Sequence, residues 1–482
     1  MQPSETGLDP HPGGRDRALA VEARIPAGLF AGMDDDPERS VAWRIAPDPF
    51  AISPATLAAI EGLGNDLLAF YRALTALYAR SARGTLPGFA AEYLDLGKPE
   101  SIVKLGRQNR FKNDVPAVIR PDLILTEGGG FVAAELDSVP GGMGFVAGMT
   151  QAYTEVGLAT VGGPDGMARG FAGALAATAG SEKPMTAIVV SQESDSYRAE
   201  LTWLAARMRT LDLGDTVVCR PEDIVFTEEA LFVRLEGGEE RKLDVLYRNF
   251  ELFDLLNVAK NDLMLYAARH NRVKLTPPPK AHLEEKLAFA LLHAPALRKF
   301  WRGELGEAFE RIAALFPMTW VLDPRPLPPQ AAIVGLEAQG EPVRDWSALV
   351  PLGKSERDYV VKPSGFSELA WGSRGVKIAN DLTKDDWQAA IEDGLAAYAT
   401  TPHILQRFHK GRRIRVPFLD HRRDDVVELD GRVRLNPYFF VTGPTEVRLG
   451  GILATIVPSD KRLIHGMSDA IMAPCAVAPD GA

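Results

Sequence analysis

Residues 120–144 read RPDLILTEGGGFVAAELDSVPGGMG. Two β-prone runs flank a glycine triplet, so the stretch is expected to fold back on itself as a hairpin. A turn at Gly128-Gly129, where positive φ costs glycine least, sets Leu125 opposite Val132 and Leu123 opposite Ala134. Asp122 then faces Glu135, and Arg120 faces Asp137. Paired residues share a face, as do residues two apart on a strand. Arg120, Asp122, Glu135 and Asp137 therefore gather at one end of one face, which continues through Ile124, Ala133 and Phe131. The other face, carrying Leu123, Leu125, Val132, Ala134 and Leu136 with Pro121, is apolar and core-like. Three carboxylates so placed repel one another unless a cation sits among them. Oxygen ligands suit Mg²⁺, which takes one or two carboxylates together with substrate phosphates. Asp122, Glu135 and Asp137 are thus the expected metal ligands, with Arg120 a fixed positive charge suited to a phosphoryl oxygen. The plainer reading is a solvated hairpin end whose charges pair among themselves. Ser138–Gly142, which follows, is a loop built for close approach of backbone to a ligand.

The 482 residues are enough for a large core and for two or three domains. A net charge of −10 argues against a general nucleic-acid binder. Cys219 and Cys475 form neither a zinc spacing nor a disulfide framework, so a reducing, cytoplasmic setting is expected. The N-terminal segment has no apolar stretch of the signal-peptide kind, and no run reaches the length of a membrane span.

Residues 1–20, rich in Pro, Gly and charge, are expected to be disordered. Residues 21–115 form an N-terminal helical region, whose main helix spans 53–82 behind a Ser53-Pro54 start signal. Arg107, Arg110 and Lys112 give a basic approach to the hairpin, or a solvated charge run. Residues 116–325 combine the hairpin with a βαβ-like unit. In that unit, strands at Thr186–Val190 and Thr216–Cys219 flank a helix from Tyr197 to Leu211. Ligands often sit at the carboxyl ends of such strands, which makes Gln192, Glu193 and Tyr197 substrate-side candidates. A helix over 281–293 carries Lys286 beside its apolar stripe, and the proline-rich Pro324–Pro329 marks a boundary. Residues 326–482 form a second lobe. There Lys362 ends the strand Tyr359–Val361, and the small-residue loop 364–375 leads to a strand at Val376–Ile378. A strand lysine followed by such a loop is a phosphate-covering hairpin in outline. There is no Walker A motif, since Ala348 stands where Gly353-Lys354-Ser355 would need a glycine. GxSxG and HExxH are absent as well.

Taken in order, these parts resemble the circularly permuted ATP-grasp family of the glutathionylspermidine-synthase-like kind. Arg120-x-Asp122 followed by Glu135-x-Asp137 is similar to that family's arginine and Mg²⁺-binding acids, with Asp137 where the family commonly has Asn. Lys286 and Lys362 resemble its two nucleotide-contacting lysines, and the loop with Gly372 and Gly375 resembles its phosphate lid. Leu405-Gln406 resembles the strand that meets the adenine. The resemblance implies an α+β fold of two lobes with mixed and antiparallel sheets enclosing a nucleotide site, plus a βαβ substrate-side subdomain. It implies ATP and Mg²⁺ as cofactors and an ADP-forming carboxylate–amine ligase, with a small acid and a small amine (or a peptide) as substrates. Arg415, Arg434 and Arg448 are candidate substrate-pocket arginines. Two rivals stand beside this reading: a catalytically inactive ATP-grasp-like protein that binds a nucleotide or a partner, and a phosphotransferase acting on a hydroxyl.

Overall fold

The structure, a computed structural model, describes residues 13–29, 43–328, 330–370, 372–466 and 469–479. Residues 1–12 of the expected disordered tail lie outside the described residues, as does Pro329 of the expected boundary. The tail's other end is helix α1 (Gly14–Glu22), with Ala18 and Val21 fully buried, so the disorder expected there does not extend to it. Strand β1 (Phe50–Ile52) leads into helix α2 (Pro54–Ala82). Ser53 caps α2 by accepting from the Thr56 amide at 3.1 Å, and Pro54 occupies the first turn, where its missing N–H costs nothing. Ile60, Leu67, Leu74 and Leu77 form its buried stripe. The shorter α3 (Phe89–Asp95) and α4 (Glu100–Gly106) follow.

The expected hairpin is β2 (Val118–Leu125) and β3 (Phe131–Asp137). Its register matches the expectation at the charged end: Arg120 faces Asp137 and Asp122 faces Glu135. Beyond Asp122 the register slips by one, so that Leu123 faces Ala133 and Leu125 faces Phe131. The cause is a bulge at Ala134 together with a longer turn. The Gly129 amide donates to the Thr126 carbonyl, and positive φ falls on Gly129 and Gly130 rather than on Gly128. The slip exchanges faces, sending Ala133 into the core and Val132 toward the opposite side.

Helices α5 (Met143–Glu155) and α6 (Gly166–Ala179) follow. Next come β4 (Thr186–Val190), helix α7 (Arg198–Thr210) and β5 (Thr216–Cys219). β6 (Ile224–Phe226), β7 (Leu231–Arg234) and β8 (Glu240–Lys242) make a small antiparallel sheet. β9 (Val245–Asn249), helix α8 (Asn261–Arg269) and β10 (Lys274–Thr276) complete a parallel sheet in the order β10-β9-β4-β5. The helix expected over 281–293 is shorter. A single turn at Ala281–Leu283 precedes α9 (Leu287–His293), and Lys286 is the residue that caps α9. Helices α10 (Arg298–Leu305) and α11 (Ala308–Leu315) lead to β11 (Thr319–Val321).

A short pair, β12 (Glu337–Ala338) and β13 (Glu341–Pro342), opens the next segment. β14 (Tyr359–Pro363), β15 (Lys377–Ile378), helix α12 (Lys384–Ala396) and β16 (His403–Arg407) come next. They form an antiparallel sheet in the order β11-β16-β14-β15. The chain ends in β17 (Arg413–Asp420), the long β18 (Asp425–Val441), β19 (Val447–Pro458) and β20 (Ile471–Val477).

These last strands share one sheet with the hairpin and with β1, in the order β1-β20-β19-β18-β2-β3. β17 lies along the first half of β18, and β2 along its second half, where Leu435 faces Leu123. One face of this sheet buries Leu123, Leu435 and Ala454 in the main core with α2, α5 and α6. The opposite face carries Arg120, Asp122 and Glu135. The molecule is thus mixed α+β with several sheets, and the sheet joins segments that the sequence division keeps apart.

Candidate active site

On β18, Arg434, Asn436 and Tyr438 alternate with Leu435 and Pro437, so all three point to the same side as the charged residues of β2 and β3. They line a cavity of about 400 Å³ together with Arg120, Asp122 and Asp137. A narrower slot of about 100 Å³ joins it across Asp122, Glu135, Lys286 and Arg434. The slot lies between the hairpin and the β14–β16 sheet. Its walls are branched aliphatic: Ile124 and Val132 on one side, Val360, Val376 and Ile378 on the other.

Lys362 projects from β14 and is 7 % exposed. Its ammonium donates to the Gln406 side-chain oxygen and to the Ala134 carbonyl, both at 2.9 Å. The bulge makes the second bond available, since Ala134 faces no residue of β2. Gln406 is held by its own donation to Thr319 Oγ1 at 3.1 Å. Lys286 arrives from the cap of α9 and pairs with Glu135 at 2.7 Å, while donating to the Ala370 carbonyl at 3.1 Å. Two buried lysines from different parts of the chain therefore meet at the consecutive residues Ala134 and Glu135. Burial pulls the Lys362 pKa down to about 8 despite the nearby Glu135. Burial also works to lower that of Lys286, but Glu135, Glu251 and Glu285 together hold it above the ordinary range.

The three acids expected to bind metal are each matched to a cation. Asp122 pairs with Arg434 at 2.9 Å and accepts from the Asn436 amide. Asp137 pairs with Arg120 at 3.0 Å and accepts from the Val139 amide at 2.8 Å. Glu135 belongs to Lys286. Burial raises the Asp137 pKa against the pull of Arg120, whereas Lys286, Lys362 and Arg120 overcome burial to lower that of Glu135. Among the described residues, no group of three His, Cys, Asp or Glu converges as a metal site. In this arrangement each of the three acids of the expected Mg²⁺ set has a cationic partner.

The glycine loop after β3 is fixed from behind. Glu200 of α7, fully buried, accepts from the amides of Gly142 at 2.8 Å and Phe145 at 2.7 Å, at the start of α5. Burial pushes its carboxyl up to about 7 against those donors. The Gly141 carbonyl in turn receives Arg120 at 3.2 Å and the Tyr438 hydroxyl at 2.7 Å.

The loop 364–375 lies over the cavity. Ser364 and the Gly365 amide bond to Glu285, Ala370 receives Lys286, and Arg374 pairs with Glu193 at 3.1 Å. Gly372 lines the cavity with φ of 61°. Gly375, expected at the nucleotide, lines neither space, although Ser373, Arg374 and Val376 beside it do. A side chain on Gly375 would strike Pro363 and the Leu369 carbonyl, so its part is packing within the loop. Tyr197 lines the cavity as expected; Arg415 and Arg448 do not, being exposed on their strands. Sequence reasoning missed Glu284, Glu285 and Asn436. The first two directly precede Lys286, and Asn436 stands two residues after Arg434 on the same strand face. That period of two was the available signal.

No family model matches this chain, and no curated protein matches it. Among solved structures, a glutathione synthetase-like effector from Globodera pallida, in its apo form, aligns over 96 % of this chain and 97 % of its own, with a TM-score of 0.57 and 12 % identity. A protein of Methylobacillus flagellatus provisionally assigned as a gamma-glutamylcysteine synthetase aligns over 80 % of this chain and 85 % of its own, with a TM-score of 0.37 and 12 % identity. The second likeness is too loose to carry an argument. At 12 % identity the first speaks for the chain path alone, and over almost the whole of both chains that path is a glutathione synthetase-like one.

Proposed function

We propose that the protein is an ATP-dependent ligase that joins a carboxylate to an amine and forms ADP. The observation that carries this reading is the meeting of Lys286 and Lys362 at Ala134-Glu135, where the aliphatic slot opens into the polar cavity. The slot suits a planar base, and the lysines at its mouth suit the phosphates attached to it. Gln406, Arg407 and His409 border the slot. A substrate carboxylate oxygen would attack the terminal phosphorus, ADP would leave, and the amine nitrogen would then displace phosphate from the acyl carbon. Arg120 would neutralise charge as the phosphoryl group moves. The 364–375 loop would keep water from the acyl phosphate. Glu251, whose carboxyl borders the cavity, is held well above the usual range by burial and by Glu284 and Asp137, so it would stay protonated and donate to a substrate oxygen, while the proton that the amine gives up would leave on the departing phosphate. A divalent ion in such reactions screens the phosphates. Here Asp122, Glu135 and Asp137 would hold it, in competition with Arg434, Lys286 and Arg120.

The test is thermal stability with and without Mg²⁺ and a non-hydrolysable ATP analogue, on the wild type and on Lys362→Ala. A ligand at about a hundred times its dissociation constant adds roughly 2.7 kcal/mol. The expected outcome is a shift in the wild type that the variant lacks; no shift in the wild type would remove the nucleotide site. A second reading is favoured by the full pairing of all three acids: a protein that binds nucleotide without turning it over. Acyl phosphate trapped by hydroxylamine in the presence of ATP and candidate acids supports the ligase; binding without ADP release supports the second.

A further inference from the structure

We propose that a separate basic groove, remote from the cavity and slot described above, is a binding site for a small polyanion bearing phosphate or carboxylate groups. The groove encloses about 1150 Å³ between α2, the segment 106–117, the segment 274–282 and the loop 442–445. It shares no lining residue with either space of the candidate active site. Its volume is of the order of small-molecule sites, roughly 300–1,000 Å³.

The charge is one-sided. Among the described residues Asp114 is the only acid lining the groove, against cations from α2 and from the segments 106–117 and 274–282, in a chain whose net charge is −10; the end of α6 (Ala177, Thr178) and the 442–445 loop bring neither. Some of these cations are already paired. Arg107 is held by Asp95 and the Tyr78 hydroxyl, and Arg110 reaches Asp114 at 3.4 Å. Arg72, Arg83 and Lys112 are exposed on the rim and make no ion pair among the described residues. Solvated rim charges alone would be ordinary; the floor is what sets the groove apart. Lys280 is 1 % exposed, and its ammonium meets only neutral oxygens, the carbonyls of Lys112 at 3.1 Å and Asp114 at 2.7 Å. A buried cation is costly, and burial lowers the Lys280 pKa to about 8 although the nearby Asp114 charge pulls it the other way. Beside it His282, 2 % exposed, stacks on Tyr78 at 4.3 Å, and its Nε2 has no hydrogen-bond partner. An anion entering over Ala76, Ala79 and Ala117 would add to Lys280 the hydrogen-bonded negative partner that the two carbonyls do not provide, and would draw in the rim cations. The basic run Arg107–Lys112, expected either as an approach to the hairpin or as a solvated charge run, lines this groove.

The test is calorimetric titration of the full chain with inorganic tripolyphosphate and, separately, with citrate, on the wild type and on the double variant Arg72→Glu/Lys112→Glu. Both positions are exposed and unpaired, so the melting curve should stay in place. The expected result is saturable binding of at least one probe by the wild type, weakened at least about tenfold in the variant, as two reversed charges at the rim require. Tripolyphosphate alone would mark a phosphate-selective site, and binding of both would show that carboxylates suffice. No saturable binding of either probe by the wild type, or binding that the charge reversal leaves unchanged, overturns the proposal.

Discussion

Lys362 is the residue on which the most can be measured. In the unfolded chain it holds its proton to about pH 10.5, in the folded chain only to about 8. Between these values the unfolded state binds more protons, so the stability this group contributes rises with pH across that window. Phosphates beside the ammonium would restore its affinity for the proton. Nucleotide binding near pH 9 is therefore expected to take up about one proton. Calorimetry in two buffers of different ionisation enthalpy measures this directly, and a binding heat independent of buffer would place Lys362 away from the phosphates. Arg120, Asp122, Glu135 and Asp137 were legible in the sequence because a hairpin brings near neighbours together. Arg434 and Asn436, which hold Asp122, come from more than 300 residues away, and no local pattern links a strand to so distant a partner.

At the scale of elements, the 364–375 loop is seated by contact with the segment just before α9. A Cβ on Gly365 would stand 1.5 Å from the Glu284 carbonyl oxygen, a distance that no rotamer relieves. Gly365→Ala should lift the loop and unseat Ser364 from Glu285. The expected result is loss of nucleotide-dependent stabilisation, while the melting temperature without ligand moves by no more than about 4 °C, as for a ΔΔG near 1 kcal/mol. A scanning-calorimetry comparison would decide it, and an unchanged nucleotide shift would count against the loop's role. The same segment shows why the helix expected over 281–293 is interrupted. Glu284 turns back to Arg248 and the Leu252 amide, and Glu285 to Lys98 and the loop. Tertiary partners outbid helical periodicity there, and sequence alone carries no sign of them.

At the scale of the molecule, the sheet that holds the site draws strands from residues 50–52, 118–137 and 413–477. The sequence division at 325 gives one piece β2 and β3 and the other piece β18. Each would expose an open edge rich in apolar residues. Fragments 1–325 and 326–482 expressed separately should lack cooperative unfolding and should recover it when produced together. Two independently folding fragments would mean that the β2–β18 pairing is not central to stability. The mixed α+β class was expected from the resemblance that the ordered motifs carry. The closure of the sheet by the last strands was not, because pairing between ends of a chain leaves no trace in local spacing.

On the far side of Ala134 the order of faces is core at Phe131, site at Val132, core at Ala133; on the near side it is site at Glu135, Leu136 packed against the core while also touching the cavity edge, and site at Asp137. Strike out Ala134 and the two halves join in phase, as an uninterrupted strand with every side chain still on its present side. The extra residue therefore corrects no mismatch in the core. A shorter, regular strand would pack the same surfaces, but it would lack the carbonyl that Lys362 now holds. The hairpin is one residue longer than its own packing requires, and that residue's unpaired oxygen is given over to a lysine from another sheet.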